Sequence, residues 1–324
     1  GSLLLHGEEV SFLEQPKVAG ELRQRGLRLV LSDGEHSLPN PQVFGTIDEA
    51  LEAGSYDIAI FALKSYDTQA ALEGLRSYKD RLPPFLCLQN GVENEAAIAK
   101  LLGYDRVIPG TVSSAVGRRN AGDIVLERLR GMGVAKGHPL SEKLAAILDA
   151  SGLNARLYDD ARSMKWSKML TNLLANAIPA LTNLAPAEAL KHAGLYRLEM
   201  LQLREALQVM KALEIEVVNL PGVPVKTLAW VAGGLPTWLS QPLVRRVAGS
   251  GRGMKMPSLH IDLHAGKDKS EVEWLSGAVV RFGEQCGVAT PVNRLLNETL
   301  LAMVRGELPR DTYFGDAQRL IDLF

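Results

Sequence analysis

Cysteine is scarce in this 324-residue chain, where Cys87 and Cys286 are the only two. They lie far apart, with no C-x-x-C and no metal-ligand spacing. Both a disulfide framework and a zinc ribbon are argued against, and two reduced thiols in a cytoplasmic protein are expected. Net charge is nearly absent too. Lys plus Arg number 36 and Asp plus Glu 37, leaving −1. No bulk field draws a polyanion, and the basic pairs Arg118-Arg119 and Arg245-Arg246 are too short to track a phosphate backbone. Nucleic acid is therefore not an expected partner.

Long apolar runs are missing as well. Leu3-Leu4-Leu5 is too short for a secretory segment and has no basic flank. The most apolar long stretch, Met169 to Ala187, is interrupted by Asn172, Asn176, Pro179 and Asn183. A membrane span needs about 20 mostly apolar residues, so this stretch reads as a buried core helix, and no membrane is expected. No internal repeat and no low-complexity tract is visible.

What is present suits packed cores: 46% of residues are hydrophobic. The length suggests two domains. The first half alternates strand and helix. Val10–Glu14, Asp57–Leu63 and Phe85–Gln89 read as strands, and the second is apolar enough to be buried on both faces of a parallel sheet. Thr46–Ala53, Ser65–Tyr78 and Val92–Leu102 carry helical patterns, with Ser65, Asp67 and Glu93 near helix starts. This alternation predicts a doubly wound, Rossmann-like α/β sheet. Val107–Val116, Gly122–Glu127 and Gly131–Lys136 are expected to extend it with antiparallel strands. A helix over Ser141–Ala150 and a strand near Leu153–Tyr158 follow.

Beyond about Ala161 the pattern is helical: Met164–Leu181, Ala193–Leu213, Ser258–Ala265, Lys269–Cys286 and Pro291–Arg305. The expected division is a dinucleotide-binding domain over 1–160 and an all-α substrate domain over 161–324. The Gly- and Pro-rich stretch 233–257 holds a short helix (Leu239–Val247) and the loop Gly249–Gly253.

The most informative segment runs from Lys165 to Asn176. Lys168, Asn172 and Asn176 are four apart and line one helix face, among Met164, Trp166, Met169, Leu170, Leu173 and Leu174. Two readings stay open on pattern alone. One is a solvated stripe on an amphipathic helix. The other is a cleft wall facing a polar ligand, since an unsatisfied buried polar group costs about 1–3 kcal/mol. In a partly dry cleft the Lys ammonium is disfavoured, which moves it towards general-acid duty near neutral pH.

This Lys-x-x-x-Asn-x-x-x-Asn pattern resembles that of the ketopantoate reductase family. Other segments agree in order and spacing: Phe61-Ala62-Leu63-Lys64, Leu88-Gln89-Asn90-Gly91, Pro109-Gly110-Thr111 and Gly117-Arg118-Arg119. Later come Pro257-Ser258-Leu259-His260-Ile261-Asp262, Lys269-Ser270-Glu271-Val272-Glu273 and Gly287–Asn293. The similarity runs from about residue 7 to about 305. It implies a Rossmann domain followed by a 6-phosphogluconate dehydrogenase-like helical domain. The implied activity is reduction of a small 2-keto acid, ketopantoate, by NADPH in pantothenate and coenzyme A biosynthesis. It also implies roles. Lys168 donates the proton to the alkoxide and Glu271 holds the substrate hydroxyl. Asn172, Asn176 and Ser258 bind the keto acid, with Asp262 supporting Ser258. Asn90 and Lys64 sit on the cofactor side. The oligomeric state is left open, with a homodimer as one expectation.

Two departures stand out. No G-x-G-x-x-G occurs in the 324 residues, although a Rossmann fold uses it to cradle pyrophosphate. Gly1–Gly7 reads as the later part of the first helix, so the first strand and Gly-rich loop are expected upstream of residue 1. Second, Glu14 ends the expected second strand, where an acid binds the ribose 2′-hydroxyl of NAD(H) and repels the 2′-phosphate of NADP(H). Lys17 and Lys64 offer cations to a phosphate, so NADP(H) remains the cofactor the resemblance implies and NAD(H) the one Glu14 favours. Glu14 also has a plainer reading, as a solvated strand-end charge. His260 and His264 are four apart with Asp262 between, but helix spacing alone is weak evidence and no metal is expected. The rivals are a paralogous reductase of another branched 2-keto acid and a non-catalytic dinucleotide-binding protein.

Overall fold

Phe85, Leu86 and Cys87 form a strand buried from end to end, and its neighbours organise the first half of the protein. The computed structural model describes residues 1–236, 238–242, 244 and 255–324. In chain order the strands are β1 (Ser11–Leu13), β2 (Leu27–Leu31), β3 (Gly34–Leu38), β4 (Gln42–Phe44), β5 (Ala59–Phe61) and β6 (Phe85–Cys87), then β7 (Val107–Val112), β8 (Ala115–Asn120), β9 (Asp123–Arg128), β10 (Met132–Ala135) and β11 (Ala155–Tyr158). One sheet has the order β11-β10-β7-β6-β5, all parallel neighbours except the antiparallel β10–β7 pair. Side chains alternate across it. Phe85 and Cys87 join a core with Ile98 and Leu72 on one face, and Leu86 joins Ile108, Val134 and Leu148 on the other.

The helices of this half are α1 (Ser2–Leu5), α2 (Pro16–Arg25), α3 (Ile47–Ala53), α4 (Thr68–Leu75), α5 (Asn94–Leu102) and α6 (Ser141–Leu148). Thr46 caps α3 by accepting from the Glu49 amide, while the Glu49 carboxylate accepts from the Gly45 amide. A separate pair joins β1 to β4 in parallel, with Phe12 opposite Val43. Among the described residues, neither β1 nor β5 has a strand on its other edge.

Several expectations need correction. The Asp57–Leu63 run is not buried on both faces. Only Ala59–Phe61 is strand, and Ile60 and Leu63 are exposed, because β5 is an edge strand. Of the expected antiparallel extensions, β10 does extend the main sheet beside β7, but β8 and β9 do not. β10 already occupies the free edge of β7, so β8 and β9 pair instead with the β2–β3 hairpin in the order β3-β2-β9-β8. That hairpin and α2 were not anticipated, although Pro16 at the first helical position and the two-residue turn Ser32-Asp33 followed by Gly34 are their local signals.

The second half is helical: α7 (Ala161–Leu173), α8 (Ala177–Thr182), α9 (Pro186–Ala189), α10 (Ala193–Ala212), α11 (Val225–Gly234), α12 (Ser258–His264), α13 (Ser276–Cys286), α14 (Pro291–Val304) and α15 (Ala317–Ile321). Its core surrounds α10, whose Leu195, Tyr196, Leu203 and Val209 are buried. The expected single helix Met164–Leu181 is two helices. Pro179 has no amide to donate and is tolerated only in a first turn, so the helix restarts just before it. Ala175 takes the left-handed φ of 49° at the break, and the Glu199 carboxylate accepts its amide at 2.9 Å. The expected helix Lys269–Cys286 is likewise split, into a 3₁₀ turn at Glu271–Trp274 and α13. The Leu239–Val247 helix and the Gly249–Gly253 loop fall largely outside the described residues. No helix among the described residues is long and apolar enough to cross a membrane.

Candidate active site

The site begins at the C-terminal ends of β5 and β6, where open α/β sheets place their ligands. Lys64 and Ser65 follow β5, and Gln89-Asn90-Gly91 follows β6. The Ser65 hydroxyl donates to the Asn90 carbonyl at 2.9 Å, and the Asn94 side-chain amide donates to the same carbonyl at 2.7 Å. Gln89 ties the two loops by donating to the Leu63 carbonyl at 2.9 Å. Gly91 has φ 90°, and a Cβ there would stand 3.1 Å from the Trp274 carbonyl. Only glycine allows both that conformation and that approach.

The second wall is α7. Asp160 caps it by accepting from the amides of Arg162 and Ser163 at 3.0 Å each. Lys165, Lys168 and Asn172 follow at i, i+3 and i+7, on one face. Lys165 is 5% exposed. Its ammonium lies 2.7 Å from Glu95 and donates to the carbonyls of Gln89 at 2.7 Å and Gly110 at 3.3 Å. Burial opposes this charge, but Glu95 outweighs it and holds the Lys165 pKa above the ordinary lysine value. Lys168 is half-buried. Asn172 donates to the Asn90 side-chain oxygen at 3.0 Å. Asn176 lies past the helix break, yet its side chain still reaches back, donating to the Asn172 carbonyl at 2.9 Å and accepting from the Leu259 amide at 3.4 Å.

Leu259 belongs to α12, which brings up the third element. Asp262 on α12 and Glu271 on the next turn are buried, 6% and 2% exposed. Lys64 pairs with Glu271 at 2.6 Å and with Asp262 at 3.2 Å. Lys267 closes on Asp262 at 2.5 Å. Two buried carboxylates thus share two lysines. Burial opposes the Lys64 charge, and the two carboxylates outweigh it, so its pKa stands above the ordinary value. The Asp262 hydrogen bond raises Lys267 likewise. Arg281 forks onto Glu93 and also donates to the Glu273 carbonyl at 3.0 Å, joining the Asn90 loop to α13.

The residues singled out in the sequence fall into two contacting sets, Asn90–Asn172–Asn176 and Lys64–Asp262–Glu271, tied together through Ser65 on the Asn90 carbonyl and Leu259 on Asn176. Two expectations change. Asp262 was taken to support Ser258, but its carboxylate is engaged by Lys64 and Lys267. Among the described residues no hydrogen bond joins it to Ser258, which is exposed at the start of α12. Lys64 was assigned to the cofactor, yet its ammonium is engaged by the buried Asp262 and Glu271 carboxylates. Glu14 stands exposed at the end of β1, and its amide donates to Phe44 at 3.1 Å. The His260 Nε2 donates to the Asn183 side-chain oxygen at 2.7 Å, and its ring lies tilted against that of His264 with centroids 4.1 Å apart, so the pair is engaged in packing. Sequence reasoning missed Lys165. Its i, i+3, i+7 relation to Lys168 and Asn172 was the available signal.

Comparison with known proteins gives the family and the fold. The family model described as "Ketopantoate reductase PanE/ApbA" matches residues 1–136, and its C-terminal companion matches 160–304. The 2-dehydropantoate 2-reductase of Halobacterium salinarum is 28% identical over 306 residues, covering 91% of each chain. That of Pyrobaculum aerophilum is 28% identical over 248 residues, covering 76% of this chain and 77% of its own. Among solved structures, a PanE/ApbA family ketopantoate reductase from Ralstonia eutropha JMP134 superposes with a TM-score of 0.78 at 24% identity, covering 95% of this chain and 94% of that one. A D-mandelate dehydrogenase with NADH and anilino(oxo)acetate shares the fold at a TM-score of 0.75 and 22% identity, covering 94% of each.

Proposed function

Since the chain belongs to the ketopantoate reductase family, a family of NAD(P)-dependent oxidoreductases acting on a CH–OH group, we propose that it reduces ketopantoate to pantoate. The observation that carries the reading is that the Asn90–Asn172–Asn176 hydrogen bonds along the Lys168 face of α7 and the Lys64–Glu271–Asp262 cluster are tied together through Ser65 and Leu259.

The residues present fit the nicotinamide end of a dinucleotide: Asn90 stands beyond the C-terminal end of β6, and Glu14 stands at the end of β1, where a ribose hydroxyl is bound in such folds. When bound, the dinucleotide supplies a hydride to C2 of the keto acid. Lys168 gives its proton to the oxygen that becomes the alkoxide, so charge does not build there uncompensated. The side-chain amides of Asn172 and Asn176, with Ser258, bind the keto acid's carboxylate and hydroxyl. Glu271 accepts the hydrogen bond of the substrate's hydroxyl. Asn90 aligns the two reactants from the sheet side. NADPH is the proposed cofactor, with Glu14 the residue that opposes its 2′-phosphate and favours NADH.

The role of Glu271 gives the test. Glu271→Ala should raise KM for ketopantoate strongly and matter much less for a keto acid lacking the hydroxyl, because no partner is then lost. Equal losses on both substrates would make Glu271 structural and favour a different 2-keto acid.

A further inference from the structure

We propose that Lys165, which the reaction itself does not use, is a positioning residue that sets the register of the catalytic helix against the Asn90 loop. This rests on the reading of Lys168 and Asn90 just given.

The argument starts from how completely Lys165 is occupied. A lysine ammonium has three N–H donors, and here three acceptors surround it: Glu95, the Gln89 carbonyl and the Gly110 carbonyl. All three come from the sheet half, while Lys165 is on the first helix of the helical half. A buried ion pair is a poor way to gain stability, since desolvation offsets most of its attraction and an apolar pair of similar volume often does as well. The Cys87 thiol beside it is pushed up to about 12 by burial and then by Glu95, so it stays neutral and leaves Glu95 as the balancing charge. What the ion pair adds over an apolar contact is direction.

That direction matters because of what flanks it. The Gln89 carbonyl is one residue from Asn90, whose side chain takes the Asn172 amide. Lys165 and Asn172 are seven residues apart on α7, about 10 Å along its axis. The helix is therefore pinned to the Gln89-Asn90 segment at two points on one face, with Lys168 between them. Slippage by a fraction of a turn would move the Lys168 ammonium relative to a reactant held near Asn90. A displacement of about 1 Å can cost on the order of 10²-fold in rate.

The test compares Lys165→Met, Lys165→Arg and the double variant Lys165→Met/Glu95→Gln in the full chain. Lys165→Met should lower kcat on ketopantoate by roughly 10–100-fold with little change in KM, and Lys165→Arg should restore most of it. Lys165→Met also leaves the half-buried Glu95 unpaired, which lowers Tm; the double variant removes that charge. Positioning predicts that the double variant recovers Tm and keeps the low kcat. Recovery of kcat together with Tm, or an unchanged kcat in Lys165→Met, would overturn the proposal. Amide hydrogen exchange supplies a reading that needs no substrate: Lys165→Met should speed exchange at Asn90-Gly91 and along Ala161–Leu173. Unchanged protection there would also overturn it. A wild-type chain inactive on ketopantoate would count against the proposed reaction, while exchange would still judge the tie.

Discussion

Lys64→Met is the sharpest perturbation of the charge cluster. Methionine keeps the length of the side chain and removes its charge. Asp262 would keep Lys267 at 2.5 Å, but among the described residues Glu271 pairs only with Lys64. A hydrogen bond to a charged group contributes about 1.5–3 kcal/mol. The Lys64 side chain is 36% exposed, so water screens part of this and roughly 1–2 kcal/mol is expected. For a chain of this size the loss corresponds to about 2–8 °C in Tm. The pH dependence has a fixed sign. Lys64 is held above its ordinary 10.5, so its contribution is full below that value and is lost as pH rises through the higher folded value. The gap between wild type and variant should be flat from roughly pH 7 to 9 and close above about 10.5. Denaturant melts across that range measure it. A gap that persists unchanged into strong base, or no gap at neutral pH, would show that the ion pair does not hold the cluster together.

Glu14→Arg should raise the NADPH/NADH ratio of kcat/KM, by removing like-charge repulsion at the 2′-phosphate; an unmoved ratio would put Glu14 outside the ribose site. Glu205 accepts the Val292 and Asn293 amides at 2.8 and 2.9 Å, closing the N-terminus of α14. Glu205→Ala should therefore cost about 1–3 kcal/mol in denaturant unfolding, and a cost within about 0.5 kcal/mol would deny it the capping role.

Only part of this site carries a local pattern. Lys168, Asn172 and Asn176 share a helix spacing that left a solvated stripe and a cleft wall both open, and Asn90, Lys64, Asp262 and Glu271 were reached through the family resemblance. The α/β-then-helical order was legible from local patterns. What was not legible depended on tertiary choice. The pairing of β9 with β2 rather than with β7 follows from β10 having taken that edge, and nothing local to β9 encodes it. The break at Ala175 was readable from Pro179 but was masked by an apolar run that continues across it. Lys165 was hidden by its own chemistry, because a lysine among apolar residues looks like a solvated charge until Glu95, 70 positions earlier, is seen beside it.

The central claim is that the Lys168 face of α7 is catalytic, and Lys168→Ala tests it most directly. Steady-state rates of ketopantoate reduction should show kcat lowered by roughly 10²–10⁴, the usual worth of a positioned general acid, with the thermal melt little changed. A variant with near-wild-type kcat would contradict the account, because the proton would then be coming from elsewhere.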